Sequence, residues 1–323
     1  MEDFFDPVEP NDEGTLPVGD GHTIYWTQSG SPTGKPLVIL HGGPGSGASP
    51  RHRRIFDPER YRIIQFDQRS CGRSTPYAGD PIVDLAANTT GHLIGDVERL
   101  RTHLAVDRWM VWGGSWGTTL GLAYAQAHPE SVTELMLAAV CSTNSVDVDW
   151  TTRAVGRVLP EAWQRFRDHL PPDRRHGNLP AAYHELLMDP DPDVHDAAAL
   201  AWCRWEDRHM AVAGDFQPGL EEADPEFRLC FARLVTHFWG NAAFMPDDQL
   251  LDNAHRLTGF PVFLTHGRLD ISSPMDFPFR MAAAITEAGG QVDFFVGTDD
   301  GHAGSSMNEW GLAIANRLAA ESR

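Results

Sequence analysis

The sequence predicts an α/β fold: a mostly parallel central sheet flanked by helices, with a helical cap inserted between two parts of the sheet. Three observations predict it. Short continuous apolar runs such as Pro36-Leu37-Val38-Ile39-Leu40 have the length and character of strands buried on both faces. They alternate with runs of helical spacing, as in Leu93, Ile94, Val97, Leu100 and Leu104. The alternation stops after Cys141 and resumes near Phe260, and the stretch between reads as helices rich in Trp, Arg, Asp and Pro.

The first 20 residues are rich in Asp, Glu, Pro and Gly and read as an arm with little core of its own. His22-Thr23-Ile24-Tyr25-Trp26-Thr27-Gln28 alternates like a half-exposed strand. The buried strand Pro36–Leu40 then runs into His41-Gly42-Gly43-Pro44-Gly45. A glycine-rich loop at the carboxyl end of a strand leaves backbone N–H groups free to face a ligand. No Lys-Ser/Thr follows and G-x-G-x-x-G spacing is absent, which argues against a phosphate loop. The strand Tyr61–Phe66 leads to Asp67-Gln68-Arg69-Ser70-Cys71-Gly72-Arg73-Ser74, a polar loop in which Asp67 and Arg69 are expected to brace the surroundings.

Trp109-Met110-Val111-Trp112 is followed by Gly113-Gly114-Ser115-Trp116-Gly117 and a helix-like run from Thr118 to His128. Strand, sharp turn and helix around G-x-S-x-G make a nucleophile elbow, in which a side chain in place of either glycine would crowd a neighbouring element. Ser115 is therefore the candidate nucleophile. Its acyl chemistry needs an oxyanion hole, here with donors from the glycine-rich loop after Leu40 and from the residue after the nucleophile, Trp116. Glu134-Leu135-Met136-Leu137-Ala138-Ala139-Val140 adds another buried strand. Helix-like pieces follow at Pro160 to Leu170, Ala181 to Met188, Ala197 to Ala211 and Pro225 to Phe238. The chain thus divides into a first core part, 1–140, a helical cap, 141–250, and a second core part, 251–323.

A serine hydroxyl also needs a base and a group that orients the base. In the α/β-hydrolase layout both follow the serine, acid before histidine, each after a late strand. Phe260–Thr265 ends in His266-Gly267-Arg268-Leu269-Asp270, and Gln291–Val296 ends in Gly297-Thr298-Asp299-Asp300-Gly301-His302. Asp270 and His302 are the resulting orienter and base. Asp299 and Asp300 lie on the histidine's own loop and are expected to cap it, while His41 and His266 are expected to hold loops.

Taken together, these motifs resemble the proline iminopeptidases, prolyl aminopeptidases of the α/β-hydrolase fold. The resemblance covers most of the chain: Tyr25 to Gly30, His41-Gly42-Gly43-Pro44-Gly45, Asp67 to Ser74, Gly113 to Thr118, Pro160-Glu161-Ala162-Trp163, Ala201 to Glu206 and His266 to Asp270. It implies Ser115, Asp270 and His302 as the triad, with Gly43 and Trp116 at the oxyanion and Gly42 beside the substrate. The family releases an N-terminal residue, usually proline, and holds its amine with cap carboxylates. Glu206 matches the first of these; a salt bridge to Arg204 or Arg208 is the structural alternative. Val235 stands where the family has its second amine-binding glutamate. Ala138, Ala139 and Cys141 stand where it has arginine, glycine and an aromatic, and Thr151-Thr152 replaces an aromatic pair. These differences fall on the substrate pocket, so proline selectivity is open.

The rest of the chain bounds the setting. With 323 residues and a formal charge of −19, it disfavours nucleic acid and anionic membrane surfaces as partners. Cys71, Cys141, Cys203 and Cys230 are far apart and without metal-ligand spacing, which reads as free thiols in a reducing compartment. The acidic start, Met1-Glu2-Asp3-Phe4-Phe5-Asp6, has no signal-peptide pattern, and no apolar run approaches the ~18 residues of a membrane span. The expectation is a cytoplasmic serine hydrolase that needs no metal or organic cofactor and acts on a small peptide or amide with a free amine. An amidase, esterase or acyl-transfer enzyme using the same triad is the alternative, and a binding protein without turnover a third reading. The oligomeric state is not legible.

Overall fold

The apolar strands split by parity, which explains why they read as continuous runs. Leu37, Ile39, Met110, Trp112, Met136 and Phe263 pack with Ile314, Ala315 and Leu318 on one face of the sheet. Val38, Leu40, Val111, Leu135, Leu137 and Leu264 pack with Leu93, Val97, Leu120, Tyr124, Met281 and Ile285 on the other. A strand covered by a helical layer on each side has no polar face.

The computed structural model describes residues 4–213 and 216–321; Met1-Glu2-Asp3 at the acidic start and Ser322-Arg323 at the far end lie outside them. Among these residues the strands are β1 (Asp12–Gly19), β2 (His22–Gly30), β3 (Lys35–Leu40), β4 (Tyr61–Asp67), β5 (Trp109–Gly114), β6 (Val132–Ala138), β7 (Val262–Gly267) and β8 (Val292–Gly297). They form one sheet in the order β1-β2-β4-β3-β5-β6-β7-β8. The β1–β2 and β2–β4 pairs are antiparallel and the others parallel. The α-helices are α1 (Pro50–Arg53), α2 (Thr90–His103), α3 (Trp116–Ala127), α4 (Ser145–Thr152), α5 (Pro160–His169), α6 (Leu179–Leu187), α7 (Pro192–Met210), α8 (Pro225–Gly240), α9 (Gln249–Asp252), α10 (Asp276–Glu287) and α11 (Ser305–Glu321). None of them is long and apolar enough to cross a membrane.

The N-terminal arm needs correction. Residues 12–19 are a sheet edge, paired with β2 from Asp12 opposite Gln28 to Gly19 opposite His22. Val18 is its one fully buried residue, so no apolar alternation marks it in the sequence. Pro17 is tolerated because an edge strand has one side without ladder bonds.

Between β6 and β7 the chain builds a second core. Phe166, Tyr183, Trp202, Trp205, Phe231 and Val235 are among the buried residues of this cap cluster. Trp239 packs against both the cap and the main core, and Leu250 and Leu257 already belong to the main core. Asp191 caps α7 and Asp224 caps α8, each accepting a backbone N–H and each followed by a proline at the first helical position. These local signals fix two long helices over the carboxyl ends of the strands.

Candidate active site

The turn from β5 into α3 puts Ser115 at φ 55° and ψ −127°, a conformation that costs a non-glycine residue free energy. Neighbouring bonds hold it there: Ser115 N–H donates to Ala138 O at 3.0 Å, and Thr118 N–H donates to Ser115 O at 2.7 Å. Glycine at 117 is dictated by contact, since a Cβ there would run into the Leu40 carbonyl oxygen. Glycine at 42 is dictated by the nucleophile itself. A Cβ at that position would stand 3.2 Å from Ser115 Cβ and 3.1 Å from Gly114 O.

His302 lies on the loop between β8 and α11, and its Nε2 lies 3.1 Å from Ser115 Oγ. Its Nδ1 lies 2.9 Å from Asp270 Oδ2, on the loop after β7. An acceptor carboxylate at Nδ1 fixes the proton there and leaves Nε2 free to accept from the serine hydroxyl. Asp270 is buried, and its Oδ1 accepts from Ser272 Oγ at 2.6 Å and from the N–H groups of Ser272 and Ser273 at 2.9 and 3.1 Å. Burial opposes its charge, but His302, His266 and Ser272 together hold its carboxyl well below the usual range. Burial likewise opposes protonation of His302, yet the Asp270 carboxylate prevails and raises the imidazole above its ordinary value. The pair is thus set to stabilise an imidazolium once a proton arrives.

The oxyanion candidates flank this relay. Trp116 is the first residue of α3, so its N–H is one of those a helix leaves without an internal acceptor. Gly43 adopts φ 103° in the loop after β3, and both residues line the same cavity as Ser115. That loop is braced as the sequence suggested. Asp67 accepts from Ala48 N–H at 2.7 Å and Arg73 N–H at 2.9 Å, and His41 Nε2 accepts from Gln68 N–H at 3.0 Å. Arg69 donates to both oxygens of buried Asp96, at 2.6 and 2.9 Å. His266 Nε2 is 2.8 Å from Ser273 O, and Asp300 caps α11 by accepting from Ser306 Oγ at 2.5 Å and Met307 N–H at 2.8 Å.

A cavity of ≈ 540 Å³ opens above Ser115 between the strand ends and the cap. Of the expected substrate residues, Gly42, Cys141 and Glu206 line it with Ser115 and His302. Burial pushes the Cys141 thiol up, and its Sγ sits against Thr119 Oγ1 at 3.5 Å. Glu206 is 3 % exposed, with Oε1 accepting from Trp202 Nε1 at 3.1 Å. The proposed salt bridge is not made by Arg204, which turns to Glu221 at 2.7 Å. Val235 does not line the cavity and is corrected here: it is fully buried in the cap core. It shares an i, i+4 row of α8 with Phe231 and Trp239, which do line the cavity.

Among the lining residues that the sequence does not single out are Phe216, Phe227, Phe231 and His209. Only His209 carries a signal, its i, i+3 spacing from Glu206. Ser272, which braces Asp270, was also missed; an Asp accepting from the N–H two residues on is an Asx turn that the Asp-Ile-Ser order permits without marking.

A family model described as alpha/beta hydrolase fold matches residues 35–276. A probable proline iminopeptidase of Streptomyces coelicolor is 46% identical over 323 residues, covering 98% of each chain. The proline iminopeptidase of Arabidopsis thaliana is 41% identical, over 98% of this chain and 81% of that protein. Among solved structures, proline iminopeptidase from Mycobacterium smegmatis superposes with a TM-score of 0.58 at 20% identity, covering 97% of this chain and 100% of that one. VinJ superposes with a TM-score of 0.60 at 19% identity, over 97% and 99% of the two chains. At that identity both superpositions speak to the fold.

Proposed function

Because the chain belongs to the proline iminopeptidase family of α/β hydrolases, we propose that it is a serine aminopeptidase that releases the N-terminal residue of a small peptide through an acyl-enzyme. The observation that carries this reading is the unbroken series Ser115 Oγ, His302, Asp270, opening into a cavity that also holds the buried carboxylate of Glu206. His302 Nε2 takes the hydroxyl proton as Ser115 Oγ bonds to the carbonyl carbon, and the Gly43 and Trp116 N–H groups hold the resulting oxyanion. His302 then hands the proton to the departing amine, the C–N bond breaks, and a water deprotonated by the same imidazole releases the acyl group.

Among the described residues no arginine or lysine pairs with the Glu206 carboxylate, and such a buried carboxylate suits an ammonium, which supplies the positive charge. The four cysteines are free thiols and three are buried, which supports a reducing, cytoplasmic setting.

The test is a panel of aminoacyl 4-nitroanilides with free and N-acetylated amines, beside matched esters, assayed with wild type and Ser115→Ala. The reading expects free-amine anilides to be cleaved, N-acetylation to abolish cleavage, and Ser115→Ala to lose about 10⁴-fold or more in kcat. Turnover of esters with all aminoacyl anilides inert would favour the esterase or acyl-transfer alternative. No turnover and no covalent labelling of Ser115 would favour a binding protein.

A further inference from the structure

Helix α7 presents Glu206 and His209 one turn apart on a single face, and both reach the cavity that contains Ser115 and His302. They are 3 % and 2 % exposed. Glu206 spends Oε1 on the Trp202 indole, while Oε2 stands 3.4 Å from His209 Nε2. The angle of that approach leaves both ring nitrogens of His209 without a hydrogen bond. The His209 ring is wedged against Trp205, with centroids 5.3 Å apart. Burying two unpaired nitrogens is costly, and packing alone would be served better by an apolar side chain. The ring lines that cavity, so a ligand seated against it can supply a partner.

The chemistry of that ligand follows from the donor and acceptor inventory. An ionised Glu206 only accepts, and a neutral imidazole offers one accepting nitrogen. Two acceptors and one negative charge, a helical turn apart, fit a cationic amine with at least two N–H groups. Glu206 also lies close enough to His302 to favour the charge on that imidazole, so the amine would be held within reach of the reacting carbonyl.

We propose that His209 is a specificity-determining residue that accepts one N–H of the substrate's N-terminal ammonium while Glu206 accepts another. The inference rests on the aminopeptidase reading and deepens it by counting N–H groups. Primary amines and secondary amines such as proline make both contacts, a tertiary amine makes one, and an acylated nitrogen loses the charge. Phe227 and Phe231 wall the same cavity with apolar rings.

The test is a substrate ladder: alanyl, N-methylalanyl, N,N-dimethylalanyl and propionyl 4-nitroanilide, assayed for kcat and KM with wild type, His209→Leu and His209→Gln. In wild type the first two should be similar and the dimethyl compound weaker by about tenfold in kcat/KM, the value of one hydrogen bond. In His209→Leu the ratio of alanyl to dimethylalanyl should collapse towards one, mainly through KM. His209→Gln, which keeps an acceptor, should retain most of it. A wild-type ladder without the dimethyl step, or a ratio that His209→Leu leaves intact, overturns the proposal. So does an equal fall for every substrate in both variants with KM unchanged, the mark of a packing role. If His209→Leu does not fold, as thermal melting would reveal, the wild-type ladder and His209→Gln still decide. Failure of the underlying reading looks different: wild type would cleave the propionyl compound as well as the alanyl one, or cleave neither.

Discussion

His302 is subject to two opposing effects, and which one wins sets the pH at which the enzyme works. Burial favours the neutral ring, but Asp270 at 2.9 Å raises the imidazole above the ordinary histidine value of 6.5. A general base must be neutral, so kcat/KM should rise with pH through a midpoint above 6.5. Asp270→Asn removes the charge that raises the ring. Its acid limb should move to lower pH while the plateau rate falls by about 10⁴-fold; a limb that stays in place in the pH–rate profile would contradict the assignment. Gly42→Ala tests the packing around the nucleophile. A methyl group 3.2 Å from Ser115 Cβ should push the elbow off its geometry and cost about 10- to 100-fold in kcat, with little change in the thermal melt. At this scale the three side chains that meet at Ser115 were legible because each sits next to a strand end with a loop signature. The pocket was not. Val235 and Phe231 lie on one row of one helix, and which of them reaches the cavity depends on side-chain length and on how α8 lies against α7. His209 looks like any helix histidine until its nitrogens are seen to lack partners.

Single elements are tied to one another by a few buried polar contacts, those of Arg69 among them. From the loop after β4 it grips Asp96 on α2, the Ala87 carbonyl at 2.7 Å and the Val18 carbonyl of β1 at 3.1 Å. Both Arg69 and Asp96 are fully buried, and burial even raises the Asp96 carboxyl against the pull of its partner. Asp96→Ala would strand the guanidinium in the interior and should cost about 3–5 kcal/mol in urea unfolding. A loss below about 1 kcal/mol would show that the ion pair is dispensable. Elements with a strong period were legible and those without were not. The parallel strands stood out because helices cover both faces. Edge strand β1 has one buried side chain and a composition of turn residues, and α4, with Asp and Thr in half of its positions, gives no apolar stripe.

At the scale of the whole molecule, two separately packed bodies enclose one cavity. The main core supplies Ser115, Asp270, His302 and Gly43, and the cap supplies Glu206 and His209 over its own apolar cluster. On the proposed reading chemistry and recognition are carried by different parts of the chain, and substitutions in one should leave a measurable remnant of the other. The sequence changes character after Cys141, whereas the return to the core is blurred because α9 already packs there. Everything in the functional account depends on the activation of Ser115 by His302. Intact-mass spectrometry after treatment with a fluorophosphonate measures that directly. The account predicts one adduct per chain, mapped to Ser115, formed rapidly in wild type and lost or strongly slowed in His302→Ala. An adduct on another residue, or labelling of Ser115 at the same rate without the imidazole, would contradict it.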